Sequence, residues 1–186
     1  MIETTRLTMT IWTDADLDAV AALNADPEVM RFFPSPLTRE ESDAAVARWH
    51  ERLVRTGVGM LCAREKATGA FVGIIGAQWV PYEADFAPAV EIGWRLSPSF
   101  WGRGLATEGA RAAAEHAFST AGVERVVAVA LPANGPSIAV MRRLGMRDAG
   151  FFEHPLLPPG PPHNPHVLHV LEQAAGLPGT LLQGAG

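Results

Sequence analysis

The chain has 186 residues, of which 48% are hydrophobic and 19% charged, and its formal net charge is −5. This composition is typical of a folded globular domain and excludes a disordered chain. No basic patch dominates, so nucleic acid is not an expected partner, and no stretch approaches the roughly 20 apolar residues that cross a membrane. Without a secretory signal, and with one cysteine (Cys62) that excludes an intrachain disulfide, we expect a cytoplasmic protein.

The first half of the chain predicts a strand, two helices and three further strands. Their predicted bounds are 6–12 for the first strand, Thr13 to Pro27 and 38–56 for the helices, and 58–65, 70–79 and 89–96 for the later strands. The second helix has a capping-box signature, because Glu41 follows Thr38 by three residues. Its apolar stripe is predicted to contain Val46, Trp49, Leu53 and Val54.

The second half predicts alternating helices and strands followed by a hairpin. The predicted elements are a helix at 104–120, a strand at 123–131, a helix at 135–144, and strands at 146–153 and 166–172. The order of elements predicts a mixed α/β fold without the strict alternation of a doubly wound nucleotide-binding domain. We expect one domain over 1–173 and a flexible, glycine-rich tail over 174–186.

Residues 101–106 read Trp-Gly-Arg-Gly-Leu-Ala and lie between a predicted strand and a long helix. Glycines allow a tight turn, and the helix start directs unpaired N–H groups and a positive dipole end toward the same point, which suits phosphate. Arg103 and Thr107 could add side-chain donors. A plain strand-to-helix connection would use the same glycines. The segment is neither a dinucleotide fingerprint, whose third glycine would fall at Thr107, nor a P-loop.

A second informative segment begins at Asn134, where a predicted strand ends. Ser137 lies near the start of the following short helix, and Gly145 ends that helix. Taken with 101–106, this segment resembles the GCN5-related N-acetyltransferases, in particular the branch that acetylates the N-termini of ribosomal proteins.

The resemblance rests on two motifs in the expected order. The family motif [Gln/Arg]-x-x-Gly-x-[Gly/Ala] maps onto Trp101, Gly104 and Ala106, with Gly102 as a further family glycine, and Trp101 departs from it. The motif Asn-x-x-Ser/Ala, followed by a short helix ending in Gly-Phe/Met, maps onto Asn134, Ser137, Gly145 and Met146. The opening residues 3–7 also resemble that branch, and the likeness extends to about residue 172.

The resemblance implies the family fold, a single mixed and mostly antiparallel sheet of about seven strands flanked by helices. It also implies acetyl-CoA as co-substrate, lying between strands 89–96 and 123–131, and no metal. The pantetheine arm would pair with the backbone of the first of these strands, and the pyrophosphate would lie on 102–107. The implied binding residues are Trp94, Arg95, Leu96, Trp101, Gly102, Arg103, Gly104, Leu105, Ala106, Thr107, Asn134, Ser137, Ile138 and Met141.

The implied activity is transfer of an acetyl group to a primary amine by direct attack. The amine must lose a proton, and Glu91 is the candidate base, with a strand carboxylate paired to an arginine as the alternative. The usual tyrosine acid is replaced by Met141. Ser137 is a candidate replacement or merely caps its helix, and the thiolate could also leave unassisted. Glu108 is expected to complement the helix dipole.

Two other functions compete with this hypothesis: a non-catalytic acyl-CoA-binding module and a dinucleotide-binding redox protein. The acceptor stays open among a protein N-terminus, an amino acid, a polyamine and an aminated antibiotic, and homodimers are frequent in the family. His154, His163, His166 and His169 suit a solvated rim or substrate pocket better than a metal site. Phe32-Phe33-Pro34 is expected to line the acceptor site or to join the core, and Cys62 to be a core residue.

Overall fold

The computed structural model describes residues 1–173, and the predicted tail at 174–186 lies outside the described residues. The described strands are β1 (Ile2–Glu3), β2 (Leu7–Thr10), β3 (Met60–Glu65), β4 (Phe71–Trp79), β5 (Val90–Leu96), β6 (Arg125–Ala130), β7 (Arg147–Phe152) and β8 (His166–Glu172). The helices are α1 (Leu17–Ala25), α2 (Arg39–Thr56), α3 (Leu105–Ala121) and α4 (Gly135–Leu144), with short 3-10 turns at Asp14–Asp16 and Pro98–Phe100. No helix among the described residues is long and apolar enough to cross a membrane.

The strands within residues 1–173 form one mixed sheet in the order β1-β2-β3-β4-β5-β6-β8-β7. Neighbours are antiparallel except for β5 and β6, which are parallel. This confirms the predicted α/β class with a single, mostly antiparallel sheet. Its eighth strand is β1, whose two residues are too few to show an alternating sequence pattern.

Helix α2 begins as its sequence predicts. The Glu41 N–H donates to Thr38 Oγ1 at 3.2 Å, and the Thr38 N–H donates to Glu41 Oε2 at 2.8 Å. One predicted stripe residue is wrong: Val46 is buried, whereas Val54 is 70% exposed. Each residue turns the helix by about 100°, so Val54 points away from the sheet while Leu53 lies against it.

The helices cover opposite faces of the sheet, and β5 shows this alternation most clearly. Ile92 and Leu96 are buried on the face covered by α3, whose alanines allow the helix to approach closely. Glu91, Gly93 and Arg95 therefore face the other side, where α1 and α2 pack. Cys62 is buried in the core on that second side.

Strands β5 and β6 separate soon after they meet. Their parallel pairing is limited to Val90 with Val126 and Glu91 with Val127. Beyond this point β5 stays paired with β4 as far as Leu96, and β6 stays paired with β8. The sheet therefore opens as a V whose vertex is at Glu91.

Close backbone packing between β3 and β4 gives a direct test of the fold. A Cβ at Gly76 would lie 2.2 Å from the Gly59 carbonyl oxygen and 2.8 Å from the Met60 Cα, and neither atom can move without disturbing the strand. We expect Gly76→Ala to lower the free energy of unfolding by about 2–3 kcal/mol, measured by denaturant titration. Gly135→Ala is the matched control, because a Cβ there meets nothing within 4 Å. Equal stability of the two variants would contradict the described strand spacing.

Candidate active site

A cavity of about 880 Å³ occupies the opening between β5 and β6 and continues toward the loop after α1 and the β7–β8 hairpin. Most of the residues predicted from sequence line it. They are Glu91, Trp94, Arg95, Leu96, Trp101, Gly102, Gly104, Leu105, Ala106, Thr107, Asn134 and Ser137. The fold therefore brings both motifs and the candidate base to one site.

Three predicted binding residues lie outside the cavity wall. Met141 is 1% exposed and belongs to the core, against which Ile138 also packs. Their three-residue spacing places them together on the inner face of α4. The Arg103 guanidinium pairs with the Glu65 carboxylate and lies 5.2 Å from the Phe100 ring centroid, away from the cavity.

The loop before α3 has the geometry of an anion site. Gly102 and Gly104 have positive φ values of 71° and 77°, in the left-handed region that favours glycine. The first backbone bond within α3 runs from the Glu108 N–H to the Gly104 carbonyl, so the N–H groups before Glu108 have no partner in the helix. The Thr107 hydroxyl is buried and makes no hydrogen bond within residues 1–173. It is an additional polar group with unused bonding capacity at the same point.

Residues of the N-terminal segment form hydrogen bonds that hold the glycine loop before α3 in place. Arg6 donates from Nη1 to the Arg103 carbonyl at 2.8 Å and from Nε to Glu108 Oε2 at 2.7 Å. Thr4 donates its hydroxyl to the same carboxylate, which lowers the pKa of Glu108 although burial opposes this. Glu108, expected to complement the helix dipole, is thus also the anchor for the opening residues of the chain.

Trp101 and Asn134 have clear local roles. The Trp101 indole N–H donates to the Leu96 carbonyl at 2.7 Å, which ties the glycine loop to the end of β5. Asn134 Oδ1 accepts the Ser137 N–H at 3.2 Å and caps α4. The alternative that Ser137 caps this helix is therefore wrong, and the partly buried Ser137 lies in the cavity wall.

Glu91 is a buried acid at the vertex of the V. Burial raises its pKa from 4.5 to about 7, and no hydrogen bond or cation offsets this effect within the described residues. Within residues 1–173, Glu91 therefore does not form the ion pair with an arginine that was the alternative to a role as base. The side chain lines the cavity and keeps some accessible surface, so a ligand can reach it while bulk water is remote.

The far side of the cavity is apolar and aromatic. Phe32, Phe33 and Pro34 line it, together with Trp49 from α2. Of the two alternatives for the Phe-Phe-Pro segment, lining a site or joining the core, the structure therefore supports the first. The sequence did not indicate that Trp49 lines a cavity, because a tryptophan in the apolar stripe of a helix is equally typical of the core.

The β7–β8 hairpin contributes His154 and His166 to the wall, with ring centroids 5.4 Å apart. The Asn164 amide is oriented by its nitrogen, which donates to the His154 and Pro158 carbonyls. Its Oδ1 faces His166 Nδ1 at 3.3 Å, so Nδ1 carries the proton and Nε2 is a free acceptor. Burial and the neighbouring His154 lower the pKa of His166 to about 4, so the ring is neutral near pH 7.

His163 and His169 complete the set of histidines considered for a metal site. His169 lies on the opposite face of β8, as its odd spacing from His166 requires. Among the described residues, no group of three or more His, Cys, Asp or Glu side chains is arranged to hold a metal ion.

Tyr82, in the loop between β4 and β5, lies beside the histidine pair. Its ring centroid lies 4.4 Å from that of His154, and its hydroxyl is buried without a hydrogen-bond partner in residues 1–173. Burial, and then the charge of Glu91, raise the pKa of Tyr82. Nothing in the local sequence indicated this proximity.

Comparison with known proteins identifies the family. A family model described as an acetyltransferase (GNAT) domain matches residues 6–147. The uncharacterized N-acetyltransferase YnaD of Bacillus subtilis is 30% identical over 152 residues, which span 82% of this chain and 85% of that protein. The chain belongs to the GNAT acetyltransferase family, as the two motifs predicted.

Two further relatives extend the comparison. The FsC-acetyl coenzyme A-N(2)-transacetylase of Aspergillus fumigatus is 33% identical over 150 residues, covering 74% of this chain and 62% of that protein. The crystal structure of an acetyltransferase from Agrobacterium tumefaciens is 27% identical, with a TM-score of 0.74 over 92% of this chain and 94% of that chain.

The buried acid predicts a pH-dependent stability difference. Since the folded-state pKa of Glu91 is about 7 and its ordinary value is 4.5, the folded protein holds a proton that the unfolded chain has released between these values. Stability is therefore lost as pH rises through this window. We expect Glu91→Gln to be more stable than the parent protein by about 3 kcal/mol at pH 8 and equally stable at pH 4, measured by denaturant titration. A difference independent of pH would contradict the raised pKa.

Proposed function

We propose that this protein is an acetyl-CoA-dependent N-acetyltransferase that modifies a primary amine, with Glu91 as the base. The observation that carries the proposal is the position of Glu91. Its buried carboxyl lies at the vertex of the opening between β5 and β6 and lines the same cavity as the glycine loop and the start of α3.

The residues present fit the co-substrate. Beyond Glu91 the β6-facing edge of β5 has no paired strand within the described residues. Backbone groups of Trp94–Leu96 on that edge are therefore available to the pantetheine amides, apart from the Leu96 carbonyl, which accepts the Trp101 indole N–H. Gly102, Gly104 and the unpaired N–H groups at the start of α3 suit the pyrophosphate, with the unpartnered Thr107 hydroxyl beside them. When bound, acetyl-CoA supplies an acetyl thioester that an amine can attack.

Glu91 is suited to take the proton from that amine. An α-amine titrates near 8 and a lysine side chain near 10.4, so both are mostly protonated at neutral pH. A carboxyl with a pKa of about 7 is half ionised there and is a far stronger base than an ordinary glutamate. Because Glu91 lines the cavity, an acceptor bound there can reach its carboxyl.

Release of the thiolate needs no tyrosine at the Met141 position, which is buried in the core. We propose Ser137 as the group that protonates the thiolate. Its hydroxyl is not needed to cap α4, and its side chain lies in the cavity wall. A thiol of pKa about 8.5 is also a tolerable leaving group by itself, so the contribution of Ser137 is expected to be modest.

The primary test measures thiol release from acetyl-CoA with a panel of amines. We expect acceptor-dependent release, and a loss of kcat of roughly 100-fold or more in Glu91→Gln at pH 7 because proton removal becomes unassisted. In the parent protein kcat should rise with pH through an apparent pKa near 7, and this rise should disappear in the variant. Glu115→Gln is the matched control, since Glu115 is exposed on α3 and outside the cavity wall.

Two results would contradict parts of the proposal. Undiminished kcat in Glu91→Gln would exclude this residue as the base. Tight binding of coenzyme A without release in the presence of any amine would favour a non-catalytic acyl-CoA-binding module of the same fold.

The Ser137 hydroxyl can be tested separately. We expect Ser137→Ala to lower kcat about tenfold with unchanged KM for acetyl-CoA, because proton donation to the thiolate is lost while the Asn134 cap, which uses the Ser137 backbone, is retained. Ser137→Thr should keep most of the activity. A parent-like kcat in Ser137→Ala, measured by the same thiol assay, would show that the thiolate leaves unassisted.

A further inference from the structure

Arg95 places an arginine side chain in the wall of the cavity, on the face of β5 that also presents Glu91. Its guanidinium donates from Nη1 to Asn24 Oδ1 and lies 4.2 Å from the Phe33 ring centroid. Asn24 in turn donates to the Ser42 hydroxyl at 2.8 Å. The side chain is thus held firmly between β5, α1 and the loop that follows α1.

The charge of Arg95 has no counter-charge among the described residues. Its Nε is buried without a hydrogen-bond partner, and its recorded partners are a neutral amide and an aromatic ring. Burial lowers the pKa of Arg95 to about 10, so the guanidinium is still protonated at neutral pH. An unpaired buried charge is costly for folding, which indicates that this one is retained for a ligand.

A purely structural role would not require the charge. A neutral donor could bond Asn24, and an apolar side chain could pack on Phe33. The two carboxylates that line the cavity do not pair with it either: Glu91 is four residues away on β5, a Cα separation of about 13 Å, and Glu28 is exposed and forms no ion pair with it. His166 is neutral.

We propose that Arg95 binds a carboxylate carried by the amine acceptor, so that the acceptor is an amino acid or a similar carboxylated amine. The inference rests on the proposed function, since it assigns the acceptor of that same site. The amine would lie beside Glu91 and the carboxylate beside Arg95, since both side chains line the cavity from one face of β5. Polyamines and other polycations are disfavoured acceptors, because they would meet a fixed positive charge.

The other possible anion is a phosphate of coenzyme A. That phosphate already has a site at Gly102, Gly104 and the start of α3, whereas Arg95 faces α1 and Phe33. The two sources make different kinetic predictions: loss of an acceptor contact raises KM for the acceptor, and loss of a phosphate contact raises KM for acetyl-CoA.

The experiment compares acids with their amides. γ-Aminobutyrate, 6-aminohexanoate and 8-aminooctanoate are each assayed by thiol release beside the corresponding carboxamide, in the parent protein and in Arg95→Gln. In the parent protein we expect at least one acid to have a KM roughly tenfold or more below that of its amide. In Arg95→Gln the KM of that acid should rise roughly thirtyfold toward the amide value, with KM for acetyl-CoA unchanged. Arg48→Gln, an exposed arginine of α2 outside the cavity wall, is the matched control.

A second variant separates recognition from folding. Asn24→Asp is nearly isosteric and gives Arg95 a carboxylate partner at the atom it already contacts, while the Ser42 hydroxyl can reverse its hydrogen bond. We expect a protein at least as stable as the parent that has lost its preference for acids. A purely structural Arg95 predicts an unchanged ratio of acid to amide KM.

Calorimetry in the presence of coenzyme A keeps this inference distinct from the proposed function, and its probes are 6-aminohexanoate and the corresponding amide. Tighter binding of the acid, abolished in Arg95→Gln, would support the carboxylate site even without turnover. Equal affinity for acid and amide would overturn it, as would equal KM values in every pair or a raised KM for acetyl-CoA in Arg95→Gln. No thiol release with any amine would count against the proposed function alone.

Discussion

The separation of β5 from β6 after only two residue pairs is the constraint on which the rest of the site depends. Each strand continues with its other neighbour, so the sheet stays intact around the opening. The backbone of β5 beyond Glu91 is left without a strand partner on its β6 side, although buried polar backbone groups need partners. An extended ligand with amide groups, such as the proposed co-substrate, would satisfy that need.

The same opening puts two ionisable groups into a region of low dielectric. Glu91 and Arg95 lie on one face of β5, each buried without a charged partner in residues 1–173. Their separation along the strand prevents mutual neutralisation, so each keeps its capacity to interact with a ligand. Buried charges without partners are costly for folding, which is consistent with groups retained for chemistry and recognition.

Much of the site is held by residues distant in sequence. Arg6 ties the start of the chain to the glycine loop and to Glu108. In the last hairpin, the Asn164 amide bonds two carbonyls of the loop between β7 and β8. Its oxygen determines which ring nitrogen of His166 carries the proton. These hydrogen bonds orient cavity groups before any ligand arrives, which limits the entropy lost on binding.

The sequence by itself determined the element order, the caps and the two motifs, because hydrophobic period, glycine position and capping residues act over a few neighbours. Helix α2 begins where Thr38 and Glu41 predict. Only the tertiary structure decided which side chains reach the cavity. Met141 is buried in the core, and Arg103 pairs with Glu65. Arg95 was predicted to bind through its backbone, but its charged side chain lines the cavity. Such directions depend on contacts between residues far apart in the chain, which no local pattern records.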